Sequence, residues 1–162
     1  MAVVLVEGIT DRIALEAVAA KLGRDLGAAG IEIVPIGGAQ AIRRAAAQHQ
    51  GKRVVGLCDA GEERWFRRVL GDATYVCTAD LEDELIRALG ADRVEEVVAA
   101  QGELERFRNF QNQPAWRGRP VEAQLRRWLQ NGGRYLRYPP LLIEALEPER
   151  IPRPLVGVLE HV

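Results

Sequence analysis

Residues 3–11 read Val-Val-Leu-Val-Glu-Gly-Ile-Thr-Asp, and this stretch decides the fold. The apolar run Val3 to Val6 predicts a buried strand that ends at Glu7-Gly8. Thr10 is the predicted N-cap of the following helix, with Asp11 in its first turn. The stretch therefore predicts a strand, a short turn that carries acidic residues, and a helix.

The same alternation of strand and helix continues through the first hundred residues. Each further apolar run is short, is followed by Gly or Asp, and is separated from the next by a segment with helical spacing. Strands are predicted at 31–36, 53–58 and 74–78, and helices at 39–48, 62–70, 81–89 and 92–100. Apolar strands separated by helices favour an α/β fold with a four-stranded, mainly parallel sheet flanked by helices.

The strand pattern stops near residue 101, and the rest of the chain is predicted to be helical. Residues 101–111 have helical spacing, Pro120 is the predicted first residue of the next helix, and Gly132-Gly133 ends it. A short helix near 139–146 and a tail helix after Pro154 complete the pattern. We expect residues 1–100 to form the α/β domain and residues 101–162 to form a helical, Arg-rich extension packed on it.

Composition narrows the class of protein. Apolar residues make up 48% and charged residues 28% of the chain, an ordinary globular mixture. No apolar run is long enough to span a membrane, and no basic segment precedes the first strand, so neither a membrane anchor nor a signal peptide is expected. Cys58 and Cys77 lie in apolar runs without a second Cys nearby, which predicts buried, reduced thiols rather than a zinc site. A cytoplasmic protein is expected.

Charge is distributed unevenly along the chain. Residues 1–100 contain 12 basic and 16 acidic side chains, whereas residues 101–162 contain 10 basic and seven acidic ones. An acidic first part suits cations and a basic second part suits phosphates.

Acidic side chains follow three of the four predicted strands. Glu7 ends the first, Asp59 the third and the run Asp80-Leu81-Glu82-Asp83-Glu84 the fourth, while Gly37-Gly38 ends the second. Ligands of parallel α/β sheets bind beyond the carboxyl ends of the strands.

Two unit charges about 4 Å apart cost roughly 4 kcal/mol at an effective dielectric near 20, so the cluster needs either a divalent cation or protonation. With only carboxylates offered, Mg²⁺ or Mn²⁺ is favoured over Zn²⁺. The alternative is that these acids are helix caps and solvated first-turn residues.

The motifs resemble those of a known family. Val4-Leu5-Val6-Glu7-Gly8-Ile9-Thr10-Asp11 resembles the first motif of TOPRIM domains, and Val54-Val55-Gly56-Leu57-Cys58-Asp59 resembles their second motif, normally Asp-x-Asp. The form Glu-Gly-x-x-Asp, and the acidic run at Asp80-Leu81-Glu82, are most similar to the overcoming-lysogenization-defect (OLD) class of nucleases. The resemblance covers roughly residues 2–90 and implies a TOPRIM, Rossmann-like sheet.

The resemblance also implies roles for individual residues. Glu7 would be a general acid/base or metal ligand, Asp11 a second ligand and Asp59 the ligand of the principal Mg²⁺. Glu82 would complete a second site. The chain departs from the motif at Gly61, where the second acid of Asp-x-Asp is missing. The longer side chains that follow, Glu62 or Glu63, are the expected substitutes.

Two further departures concern parts of the OLD class that have no counterpart in this sequence. These nucleases carry an ATPase domain, so an ATPase subunit on a separate chain is an expected partner. They also carry a late catalytic Lys, whereas the two lysines here are Lys21 and Lys52.

Arginines and aromatic residues alternate in the basic segment, which predicts contact with DNA or RNA. Arg binds phosphate through two parallel hydrogen bonds, and aromatic rings stack on bases. The nucleic-acid-binding residues expected here are Arg108, Arg117, Arg119, Arg126 and Arg134. The alternative is that Trp128 belongs to the core and that several arginines pair with acids of the first part.

Three functions are compatible with these patterns. The first is Mg²⁺-dependent phosphodiester chemistry on nucleic acid, as in a metal-dependent endonuclease. The second is a catalytically impaired TOPRIM module that binds nucleic acid or a nucleotide. The third is a subunit that acts with the separate ATPase.

Overall fold

The computed structural model describes all residues, 1–162. Its four strands are β1 (Ala2–Val6), β2 (Ile31–Pro35), β3 (Arg53–Asp59) and β4 (Thr74–Cys77). Its helices are α1 (Ile9–Lys21), α2 (Ile42–Gln48), α3 (Glu63–Leu70), α4 (Leu81–Leu89), α5 (Ala91–Ala100), α6 (Leu104–Gln111), α7 (Val121–Leu129), α8 (Arg134–Ala145) and α9 (Arg153–Glu160). The predicted order of strands and helices is confirmed.

The strands form one sheet in the order β2-β1-β3-β4, and every pair is parallel. The α/β prediction is therefore confirmed, and the sheet is entirely parallel. Val6 lies opposite Pro35 on one side and Leu57 on the other, while Asp59 lies opposite Cys77. This register brings the residues that follow β1, β3 and β4 to the same edge of the sheet.

Side chains of β1 alternate between two apolar layers, as the period of a strand requires. Val4 and Val6 belong to a cluster of 30 buried residues on one face, and Val3 and Leu5 to a cluster of seven on the other. The smaller cluster lies under α2 and α3 and contains Phe66. At Gly56, a Cβ would lie 2.6 Å from Cδ1 of Phe66, so the close packing of α3 on β3 requires glycine there.

The helices after residue 100 share the larger apolar layer with the sheet. Phe107, Trp128 and Tyr138 are buried in the same cluster as Val4 and Val6. The prediction that Trp128 is a core residue is confirmed. The boundary at residue 100 stays a prediction, because no gap in the packing marks it.

Helices α1 and α8 begin at other residues than the sequence predicts, and both begin earlier. The N-cap of α1 is Gly8, not Thr10, because Gly8 is extended and its N–H donates to Asp11 Oδ2 at 3.0 Å. Helix α8 begins at Arg134 rather than near residue 139 and contains Pro139 and Pro140 in its interior. Burial of its apolar side against α1 outweighs the local preference of proline for a helix end.

None of the helices combines the length and hydropathy that a membrane-spanning helix requires. Cys58 and Cys77 are free and buried, as predicted. Burial raises the pKa of the Cys58 thiol to about 12, with Glu7 and Asp59 adding to the shift, so this thiol stays protonated.

Candidate metal site at the carboxyl edge of the sheet

A cavity of about 300 Å³ opens at the carboxyl ends of β1, β3 and β4. We call it the carboxylate cavity. Five acidic side chains line it: Glu7, Asp11, Asp59, Asp80 and Glu82. The structure therefore brings together four of the predicted site residues and adds Asp80.

Glu7 is fixed by the backbone of the neighbouring strand. Its Oε1 accepts a hydrogen bond of 2.8 Å from the N–H of Asp59, the last residue of β3. Its carbonyl oxygen accepts from the N–H groups of Gly37 and Gly38, at 3.0 and 3.3 Å. Both glycines have positive φ, 76° and 122°, which a residue with a Cβ adopts only with strain. The turn at Gly37-Gly38 therefore holds the backbone of Glu7 through these two hydrogen bonds.

Asp11 and Glu82 enter the cavity from the first turns of α1 and α4. Asp11 Oδ2 accepts a hydrogen bond from the N–H of Gly8. The other carboxylate oxygen of Asp11, Oδ1, takes no part in that bond. The first-turn residues of both helices line the cavity, and the partial positive charge of a helix N-terminus stabilises negative groups beside it.

Asp80 differs from the other four carboxylates because it is neutralised. Its Oδ1 accepts from the N–H of Asp83 at 2.9 Å, which caps α4. Its Oδ2 accepts from Arg126 Nε and Nη2, at 2.8 and 2.7 Å, and from Gln130 Nε2 at 3.0 Å. Helix α7 thus carries a fixed guanidinium group to the rim of the carboxylate cavity.

The other four carboxylates, Glu7, Asp11, Asp59 and Glu82, form no ion pair, although the charge of Arg126 acts on Glu82 from the rim. Burial raises the pKa of Asp59 to about 8, and the charges of Glu7 and Asp11 add to the shift. Burial also raises the pKa of Asp11 to about 6 and, in direction, the pKa values of Glu7 and Glu82. In their charged forms, these half-buried carboxylates are not fully offset by positive charge from the protein.

The donor set fits a hard divalent cation such as Mg²⁺. Carboxylate oxygens are the ligands that Mg²⁺ prefers, and their unneutralised charge is what an ion would offset. No three acidic, His or Cys side chains are close enough to hold one ion as a group. Mg²⁺ does not need such a cage, because it commonly binds through one or two carboxylates and keeps several waters.

The two predicted substitutes for the missing second acid lie in different places. Glu62 lines an adjoining cavity of about 400 Å³ together with Glu7, Gly37 and Gly38, and its charge contributes to the raised pKa of Glu7. Glu63 lines neither cavity and pairs with Arg67 on the outer side of α3. The structure thus brings Glu62 close to the predicted site and leaves Glu63 outside it.

All five predicted nucleic-acid-binding arginines have partners within the protein, and Arg126 pairs with Asp80. Arg108 forms two hydrogen bonds with Glu95, at 2.9 and 2.8 Å, and Arg117 donates to the carbonyl of Asn112. Arg119 lies over the ring of Trp116 at 4.8 Å. Arg134 lies 4.0 Å from the Trp128 ring centroid and donates to the Trp128 carbonyl. Of the five, Arg126 is the one beside the carboxylate cavity.

Sequence reasoning missed two members of the site. Asp80 was placed in the acidic run but was given no role, although its position directly before a helix marks it as a cap. Gln130, which holds Asp80 from the end of α7, leaves no local signal in the sequence.

Residues 1–60 match the family model of the overcoming lysogenization defect protein-like TOPRIM domain. No curated protein has a sequence that matches this chain. The structure is similar to the C-terminal region of the Burkholderia pseudomallei OLD protein, with a TM-score of 0.69 and 16% identity over 99% of this chain and 95% of that one.

The structure is also similar to the C-terminal region of the Xanthomonas campestris pv. campestris OLD protein, with a TM-score of 0.70 and 20% identity over 99% of this chain and 93% of that one. At these identities the likeness establishes the fold, while the sequence match rests on residues 1–60. Residues 1–60 therefore match an OLD-like TOPRIM domain, and the chain shares the fold of the OLD C-terminal region along almost its whole length.

Proposed function

We propose that this protein carries out Mg²⁺-dependent phosphodiester chemistry on nucleic acid, as a nuclease-like TOPRIM protein. One observation carries the proposal: four carboxylates that form no ion pair line a single cavity at the carboxyl edge of a parallel sheet. The match of residues 1–60 to OLD-like TOPRIM domains supports the same chemistry.

The residues that would hold the ion are Asp59, with Asp11 and Glu82 beside it in the same cavity. Bound there, Mg²⁺ supplies positive charge that polarises a phosphoryl oxygen and activates water. Asp59 would hold the ion in its charged form, which burial and the neighbouring carboxylates disfavour in the metal-free protein. Mn²⁺ is suited to the same oxygen ligands.

Glu7 is suited to move a proton at this site. Burial raises the pKa of its carboxyl group above the ordinary value for Glu, and a carboxyl group with a raised pKa is a better base once it has lost its proton. Its Oε1 accepts from the backbone N–H of Asp59, so the carboxylate is held in place at the centre of the sheet edge. Arg126 binds Asp80 through Nε and Nη2, so its Nη1 would be the donor for a phosphate group at the rim.

A nicking assay on supercoiled DNA tests this function. We expect wild type to nick the plasmid with Mg²⁺ or Mn²⁺ and not with EDTA, and we expect Glu7→Gln to lower the rate roughly 100-fold. Gln keeps an acceptor for the Asp59 N–H, so the fold is retained while the proton carrier is lost. Equal rates for wild type and Glu7→Gln would remove Glu7 from the chemistry. Metal-dependent binding without any cleavage would favour the impaired TOPRIM module instead.

Restoring the missing acid provides a gain-of-function test. Gly61 is not in the left-handed region, and no atom lies within 4 Å of where its Cβ would be. We expect Gly61→Asp to raise the affinity for Mg²⁺ about tenfold, because a further anionic ligand strengthens such sites. Isothermal titration calorimetry measures the change, with Gly61→Asn as the uncharged control. If the two variants bind Mg²⁺ equally, position 61 does not face the ion.

An ATPase is the second partner that we propose, after nucleic acid. The resemblance to OLD-class nucleases implies it, and the similar solved structures are themselves regions of longer OLD proteins. The ATPase would be on a separate chain or on a further part of the same protein.

A further inference from the structure

A second cavity, of about 420 Å³, lies beyond the end of β4, an edge strand of the sheet. It is lined by Thr78 and by residues of α4 and of the segment that leads into α9, including three arginines. We call it the arginine cavity and define it by Arg87, Arg150 and Arg153.

The arginine cavity carries an excess of positive charge. Its one acid, Glu84, is buried, and its Oε1 is occupied by the N–H of Thr78 at 2.7 Å and by Arg87 Nη2 at 3.1 Å. Arg150 forms no ion pair, and Arg153 lies 3.7 Å from a largely exposed Glu160. An exposed pair of this kind contributes little, so two guanidinium groups are in effect unneutralised.

The chain holds these two arginines in a rigid segment. Residues 148–154 read Pro-Glu-Arg-Ile-Pro-Arg-Pro, and Ile151 and Pro152 are buried. Arg153 is the first residue of α9, where a positive side chain is electrostatically disfavoured by the helix dipole. A side chain that opposes the helix dipole occurs mainly where another interaction compensates for the unfavourable charge. An anion bound between Arg150 and Arg153 would be such an interaction.

The two cavities lie at the same edge of the sheet. Helix α9 runs antiparallel to β4: Gly157 packs on Tyr75, and His161 near its end accepts from Arg53 at the start of β3. The first turn of α4 lines the carboxylate cavity and its second turn lines the arginine cavity. Glu82 and Arg87 are separated by about 7.5 Å of helix rise.

Helix α4 thus borders both cavities, and a nucleic-acid strand that crosses it can place one phosphate at each cavity. We infer that the arginine cavity binds a backbone phosphate of the same strand whose reacting phosphate lies in the carboxylate cavity. The inference rests on the proposed function and adds to it the direction in which the strand leaves the site.

Salt-dependent binding to labelled duplex DNA in EDTA, read by fluorescence anisotropy, tests the inference. Arg150→Gln combined with Arg153→Gln changes two exposed side chains and is expected to leave the fold intact. We expect about tenfold weaker binding and a log–log salt slope smaller by about one, since the cavity holds one phosphate and each phosphate contact contributes about one. The matched control, Arg93→Gln with Arg106→Gln, removes the same charge from exposed sites outside both cavities and is expected to keep the wild-type slope.

Each other outcome has a distinct meaning. If wild type binds and nicks DNA while both double variants show the same slope, the arginine cavity does not hold the strand and the proposed function stands. If Arg150→Gln with Arg153→Gln loses affinity for inorganic phosphate but keeps the slope for DNA, the cavity is a free-anion site and the inference is overturned. If wild type neither binds nor nicks nucleic acid, the proposed function itself is wrong.

Discussion

Asp59→Asn is expected to abolish Mg²⁺ binding and to lower the nicking rate by a factor on the order of 100 or more. Asn has the size of Asp but lacks the charge that a hard cation needs. The hydrogen bond to Glu7 uses the backbone N–H of residue 59, so the substitution leaves this contact between β1 and β3 in place. The loss therefore reports on the carboxylate itself rather than on the fold.

Calorimetry with Mg²⁺ and the nicking assay measure the two effects separately. Asp72→Asn, an exposed carboxylate on the turn before β4, is the matched control and is expected to behave as wild type. Nicking by Asp59→Asn within a fewfold of wild type, with the same dependence on Mg²⁺, would contradict the assignment of Asp59 as the principal ligand. A loss of cleavage with Mg²⁺ binding retained would move the ion to Asp11 and Glu82.

The sheet and the position of its acidic edge could be predicted because they depend on local patterns. Runs such as Val3 to Val6 are apolar on both faces, and each is closed by an acid or a pair of glycines. Parallel strands place their carboxyl ends together, so Glu7 and Asp59 meet although 52 residues separate them.

The start of α1 and the course of α8 could not be read from the same patterns. Thr10 is a better N-cap by composition, but the extended backbone of Gly8 and the cap from Asp11 fix the start two residues earlier. Pro139 and Pro140 favour a helix end, yet α8 continues through them because Tyr138 and Leu142 are buried on either side. Tertiary packing overrides local preference at both positions.

The partners of the arginines could not be predicted, because the paired residues lie far apart along the chain. Arg126 and Asp80 are 46 residues apart, and nothing in either segment specifies their contact. The predicted basic segment is largely engaged with acids, carbonyls and rings of the protein itself. The arginine cavity instead takes Arg87 from the acidic part of the chain and Arg150 and Arg153 from its end.

The metal-free protein is expected to lose about 2 kcal/mol of unfolding free energy between about pH 5 and about pH 8. The pKa of Asp59 is about 8 and that of Asp11 about 6 in the folded protein, both above the ordinary value of 3.8. A carboxyl group with a raised pKa binds its proton more tightly in the folded state. Its favourable contribution is therefore complete below about pH 4 and is lost as the pH rises toward the folded-state value.

One pKa unit corresponds to about 1.4 kcal/mol, so the shifts of Asp59 and Asp11 alone would give a larger loss of unfolding free energy. Partial exposure of the cluster to water reduces the expected loss to about 2 kcal/mol. Urea unfolding in EDTA at the two pH values measures the loss. Asp59→Asn is expected to remove most of it and to be more stable than wild type at the higher pH. Asp92→Asn, which removes an exposed carboxylate at the start of α5, is expected to retain the wild-type loss.

Mg²⁺ reverses the effect, because the ion binds the deprotonated cluster and stabilises the folded state by mass action. We expect its stabilisation of wild type to grow as the pH rises and to be absent in Asp59→Asn. A wild-type stability in EDTA that does not fall between these pH values would show that water already neutralises the repulsion among the carboxylates. The cluster would then lack the unsatisfied charge on which its affinity for a cation depends.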